Sequence, residues 1–169
     1  MKLLFFDLET TGTNPARHGI HQISGMIEID GVERERFDFK VRPNPKAEVL
    51  AEALAVGGVT REQIESYPPM EDVYRDFVGM LGRYVNKFNK ADKFFLVGYN
   101  NAAFDNQFLR GFFLQNGDSY FGSWFWSNSI DSGRTAGRLG IGGQAPRRSI
   151  RHLPNPRGLP PNDRRSQGR

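Results

Sequence analysis

Apolar and polar residues alternate along this chain with two distinct periods, and the period assigns most of its elements. Lys2 to Asp7 is a short apolar run that closes on an acid and then on turn residues, the pattern of a buried strand. Thr10 to Gly19 is polar and carries Gly12, Pro15 and Gly19, so it reads as a loop. His21 to Ile29 and Arg34 to Val41 read as the next two strands, with Asp30-Gly31 supplying a favoured hairpin turn between them. Pro43-Asn44-Pro45 ends this meander. A short helical piece follows, and Thr60-Arg61-Glu62-Gln63 matches a helix N-terminal capping box. From Glu71 to Val85 the residues Val73, Phe77, Met80, Leu81 and Tyr84 fall on one face, which predicts an amphipathic helix. Lys93 to Val97 reads as a fourth strand. Phe104, Phe108, Leu109, Phe112 and Phe113 predict a helix with a broad apolar stripe, and Trp124 to Ile130 a fifth strand.

Three antiparallel strands followed by alternating helices and strands is the order of a ribonuclease H-like mixed sheet. The expected class is therefore α/β, with one domain over residues 1–131. The pattern breaks after Asp131. Residues 132–169 hold no Phe, Trp, Tyr or Lys, but seven Gly, five Pro and nine Arg. Such a segment cannot bury enough apolar area to offset an ordering cost of roughly 1–2 kcal/mol per residue, so it is expected to be truncated or disordered. Two readings of it stay open: a basic arm that holds nucleic acid, or something other than a natural domain end, such as a product of truncation and frame-shifted translation.

Composition changes the picture in one respect. The net charge of +4 suggests a nucleic-acid binder, yet residues 132–169 alone carry +8, from nine Arg against Asp163. Residues 1–131 are left at −4, with 14 Lys plus Arg against 18 acids. A mildly acidic body permits a carboxylate-based metal site. No apolar run approaches the roughly 18 residues of a membrane span, and the N-terminus lacks a signal-peptide cleavage pattern. The absence of Cys excludes disulfides and thiolate metal sites. A cytoplasmic protein away from the membrane is expected.

The candidate chemistry begins at Asp7 and Glu9. Residues two apart on a strand leave the same face of the sheet, and two carboxylates there repel each other unless a cation neutralises them. Hard divalent ions, Mg²⁺ or Mn²⁺, suit such oxygen ligands. Acids two apart on a solvated edge need no such explanation. Here the pair follows four apolar strand residues and precedes Thr10-Thr11-Gly12, which argues for a buried strand, where unpaired acids are costly.

Asp7 to Gly12 resembles the first motif of the DEDD 3′→5′ exonucleases, a group that includes the proofreading subunit of bacterial DNA polymerase III, ribonuclease T and oligoribonuclease. Asn101-Ala102-Ala103-Phe104-Asp105, preceded by Val97-Gly98-Tyr99-Asn100, resembles the second. The likeness covers about residues 1–131. It implies that Asp7 bridges two divalent metal ions, that Glu9 binds one of them, and that Asp105, at a helix start, holds the other. It also implies that the backbone at Thr10 and Thr11 meets the terminal nucleotide of a single-stranded DNA or RNA 3′ end. Asn101 and Phe104 would contact that nucleotide, Phe104 by stacking on its base. A polymerase partner in DNA proofreading is a further implication.

The chain departs from the family at its third motif, a His or Tyr followed four or five residues later by Asp. The only His after Asp105 is His152, followed by Leu153-Pro154-Asn155-Pro156-Arg157, and Asp163 has no His or Tyr at that distance before it. A general base and a fourth carboxylate are therefore missing from this sequence, and weak or absent activity is expected. His18 and His21 are expected to contribute loop polarity. The alternative reading is a non-catalytic nucleic-acid-binding or polymerase-associated module. A phosphatase using Asp7 as nucleophile leaves Asn101 to Asp105 unexplained.

Overall fold

A computed structural model describes residues 1–98, 104–128 and 130–131. The Arg-rich segment 132–169 lies outside these residues. Strands β1 (Lys2–Thr10), β2 (Ile20–Ile29) and β3 (Val32–Lys40) form the meander. Helices α1 (Ala51–Gly57), α2 (Arg61–Glu65) and α3 (Met70–Gly82) lead to β4 (Phe95–Gly98). Helix α4 (Asp105–Gln115), the short α5 (Phe121–Trp124) and β5 (Ile130–Asp131) follow. The sheet order is β3-β2-β1-β4-β5, antiparallel among the first three and parallel from β1 to β4 to β5. This is the expected ribonuclease H-like mixed sheet.

The hairpin between β2 and β3 turns at Asp30 and Gly31, whose φ values of 53° and 79° are both positive. That is the primed turn that matches the twist of the flanking strands. Thr60 caps α2 with a complete capping box, its hydroxyl accepting from the Gln63 N–H while the Gln63 side chain accepts from the Thr60 N–H.

Alternation along β1 divides the sheet's two faces. Leu4, Phe6 and Leu8 enter the main core with Ile23, Ile27 and Leu96. Helices α3 and α4 cover that face with Phe77, Met80, Leu81, Phe108, Leu109 and Phe113. Phe77 meets Phe37, Phe39 and Phe113 edge-on, with centroids 6.0, 6.0 and 6.4 Å apart. The ring of Phe37 passes directly over Gly25. A Cβ there would lie 2.0 Å from the Phe5 carbonyl oxygen and 2.8 Å from Phe37 Cζ, so the close strand contact requires glycine.

The fifth strand differs from expectation. Trp124 ends α5, Phe125 makes an isolated bridge to Phe94, and among the described residues the pairing with β4 is made by Ile130 and Asp131. Phe121, Trp124 and Phe125 are all buried at a helical spacing of three and four, and that period prevails over the strand propensity of the aromatics. Among the described residues no helix is long and apolar enough to cross a membrane.

Candidate active site

The site lies where β4 ends beside β1, which runs on to Thr10. Asp7 and Glu9 stand opposite Ser24 and Gln22 on the sheet face turned away from the main core, as the strand period requires. Asp105 is the first residue of α4, which begins soon after β4. Its side chain is buried, at 6% exposure. Burial, reinforced by the charges of Asp7 and then Glu9, pushes its carboxyl up to about 7 from the usual 3.8. The favourable end of the α4 dipole does not offset this. The Asp7 carboxyl reaches solvent, yet the protein around it crowds it enough that desolvation raises its pKa, with the Leu8 N–H drawing it partly back.

Three acids from two separate elements therefore share one site, and the charges of Asp7 and Glu9 both oppose ionisation of Asp105. A cluster of hard oxygen donors with an excess of negative charge fits a divalent cation in charge and in donor type. Among the described residues, no three His, Cys, Asp or Glu side chains are drawn close enough to enclose an ion as they stand.

The loop between β1 and β2 is built around Thr11 and His18. Thr11 is fully buried, and all of its polar groups are engaged within the protein. Its N–H donates to the Gly19 carbonyl at 2.9 Å, and its carbonyl accepts from the Leu50 N–H at 2.9 Å. Its hydroxyl donates to the Glu48 carbonyl at 2.5 Å and accepts from the Gly19 N–H at 2.9 Å. Thr11 thus ties the loop to the start of α1. Thr10 is half-buried and its hydroxyl donates to the Gly12 carbonyl at 2.7 Å. Phe104 is half-buried, its ring 4.9 Å from that of Phe108, so part of its surface is committed to the core. Asn101 lies outside the described residues.

Both histidines before β3 depart from the expected role of loop polarity. His18 is buried with its Nδ1 accepting from the Asn14 N–H at 2.9 Å, and its ring lies so close to Gly12 that a Cβ there would come within 2.5 Å. His21 is the extra residue of a β-bulge: Glu9 pairs with Gln22 and Thr10 with Ile20, leaving His21 between them. It is 1% exposed, and neither ring nitrogen has a hydrogen-bond partner in the protein. Burial, with the nearby Lys40 charge, lowers its pKa to about 4.

A mixed sheet with two acids ending its central strand, and a third opening the helix after the neighbouring parallel strand, is the framework of a ribonuclease H-like nuclease domain. Residues 4–129 match the RNase_T family model, described as Exonuclease, and the chain belongs to that exonuclease family, within the DEDD superfamily. No curated protein sequence matches the chain. Solved structures of similar fold include E. coli exonuclease I in complex with a dT13 oligonucleotide, at 21% identity and a TM-score of 0.61 over 74% of this chain and 27% of that one. The product-bound structure of exonuclease I aligns at 21% identity and 0.61 over 74% of this chain and 29% of that one. The zinc-bound form of the E. coli exonuclease I–single-stranded DNA complex aligns at 21% and 0.61 over 74% and 27%. This chain thus spans under a third of the length of those proteins.

Proposed function

We propose that this chain is a metal-dependent 3′→5′ exonuclease domain that releases nucleoside 5′-monophosphates from single-stranded nucleic acid, with slow turnover. The observation that carries the reading is that Asp105 is buried within the field of Asp7 and Glu9, where burial first and those two charges second push its carboxyl up to about 7. Mutually repelling acids at the end of a buried strand are costly to a fold and useful to a cation site. The single-stranded DNA bound by the exonuclease I structures supports a strand end as substrate. A polymerase partner rests on the motif resemblance alone.

In this reading Asp7 and Glu9 hold Mg²⁺ or Mn²⁺ from β1, and Asp105 adds a carboxylate from α4. When bound, a pair of such ions supplies charge neutralisation at the scissile phosphate and a more acidic water. Thr11 supports the loop on which Thr10 faces the terminal nucleotide, and Asn101 with the open part of Phe104 completes that contact. Turnover is slow because no His or Tyr with a following Asp stands at the third-motif spacing after Asp105.

The test is digestion of a 5′-labelled single-stranded oligonucleotide in Mn²⁺, beside Asp7→Ala. A ladder that shortens from the 3′ end and disappears in the variant supports the proposal. Metal-dependent binding without any shortening would move the conclusion to a nucleic-acid-binding module.

A further inference from the structure

Both tryptophans of the sequence, Trp124 and Trp126, lie against lysines of the loop that joins α3 to β4. The loop is held firmly at its base. The Lys2 ammonium donates to the Tyr84 carbonyl and to the Asp92 carboxylate, and Asp92 also accepts from the Asn86 N–H at 3.0 Å. Asn86 and Asn89 each accept through Oδ1 from the N–H two residues on, at 3.1 and 3.0 Å, which fixes two successive turns. Phe88 therefore stands outward on a built loop, 85% exposed.

Cations and rings alternate across this patch. Lys87 Nζ lies 5.5 Å from the Phe88 ring centre and 5.6 Å from that of Trp124. Lys93 Nζ lies 5.1 Å from the Trp126 ring centre, and the Trp126 and Phe95 rings are 5.9 Å apart. Arg83 is paired with Glu35, and Asp92 with Lys2. Lys87, Lys90 and Lys93 thus keep three positive charges that no ion pair among the described residues neutralises, on a body that carries −4 over residues 1–131. Phe88, Lys87 and Trp124 line an open depression of about 500 Å³, within the size range of ligand sites. The patch stands apart from the acids. Phe95 begins β4 opposite Leu3, and Asp7 lies four residues further along β1, about 13 Å away at the rise of a strand.

We propose that this patch is a separate site for single-stranded nucleic acid, which stacks bases on Phe88 and Trp126 while Lys87, Lys90 and Lys93 take the phosphates. Unpaired cations interleaved with accessible aromatic rings match the alternation of phosphate and base along a single strand. An acidic peptide answers the lysines but leaves the rings without a partner. The site needs neither metal nor the acids, so it does not depend on the exonuclease reading.

Intrinsic fluorescence tests it directly, because the chain has no tryptophan outside this patch. Oligo(dT) of about 12 nucleotides, added to the full chain in EDTA, quenches that fluorescence to saturation, and the affinity falls as salt rises. Phe88→Ala, at an almost wholly exposed ring, weakens the binding roughly tenfold, the scale of one lost base stack. Lys87→Ala lowers the slope of log affinity against log salt by about 0.7, one phosphate contact on a single strand. Asp7→Ala leaves both as in the wild type. Absence of quenching, or quenching that Phe88→Ala and Lys87→Ala both leave unchanged, would overturn the proposal. Quenching by poly-glutamate and not by oligo(dT) would overturn it in favour of an acidic peptide. Each outcome is read without cleavage, so its failure leaves the exonuclease reading intact, and an inactive nuclease can still show the site.

Discussion

Replacing Asp105 by Asn should stabilise the metal-free protein, and the gain should depend on pH in a defined direction. The Asp105 carboxyl titrates near 7 in the folded chain against a usual 3.8, chiefly through burial and then through Asp7 and Glu9. The unfolded chain therefore releases this proton at lower pH than the folded one, and stability falls as pH rises from about 4 to 7. At about 1.4 kcal/mol per pH unit the full cost is about 4 kcal/mol, complete above pH 7 and absent below pH 4. Solvent around the neighbouring Asp7 reduces it, so Asp105→Asn should gain about 2–4 kcal/mol in urea unfolding at pH 8 with EDTA. The gain should roughly halve at pH 5.5. Saturating Mn²⁺ should reverse the order, because the ion stabilises the wild type by mass action and the variant far less. A variant less stable than the wild type at pH 8 in EDTA, or a gain equal at both pH values, would refute the claim that burial beside Asp7 and Glu9 holds the Asp105 carboxyl protonated.

His21 contributes in the opposite sense: with its pKa lowered to about 4, stability is lost as pH falls from about 6.5 to 4, by up to about 3 kcal/mol. His21→Leu should remove that acid-side loss, read as a flatter dependence of urea stability on pH below 6. Gly25→Ala places a Cβ 2.0 Å from the Phe5 carbonyl oxygen, and should cost about 3 kcal/mol or abolish soluble expression, judged by urea unfolding of whatever folds. Thr60→Ala removes the capping box of α2 and should cost about 1 kcal/mol with no change in Mn²⁺ affinity, both measured on the same preparation.

Several features of this protein are legible in its sequence because a few neighbouring residues encode them. The pairing of Asp7 with Glu9 on one face follows from the strand period. The positive φ values at Asp30 and Gly31 follow from turn chemistry, and the Thr60–Gln63 box from a four-residue signature. Where two local signals compete, the sequence misleads. The aromatics from Phe121 to Trp126 suit a strand by composition and a helix by spacing, and burial of Phe121, Trp124 and Phe125 on one side of a helical turn decides between them.

Local periodicity and short motifs are thus enough to establish the class of fold and to single out Asp7, Glu9 and Asp105 as candidates. How Asp105 feels the other two acids depends on long-range packing, because it meets Asp7 and Glu9 through the parallel pairing of β1 with β4, strands far apart in the chain. Packing also makes Thr11 an internal tie, and a bulge buries His21 beside Glu9. A strand pattern gives the side from which a residue leaves. What waits there is set by contacts across the whole domain.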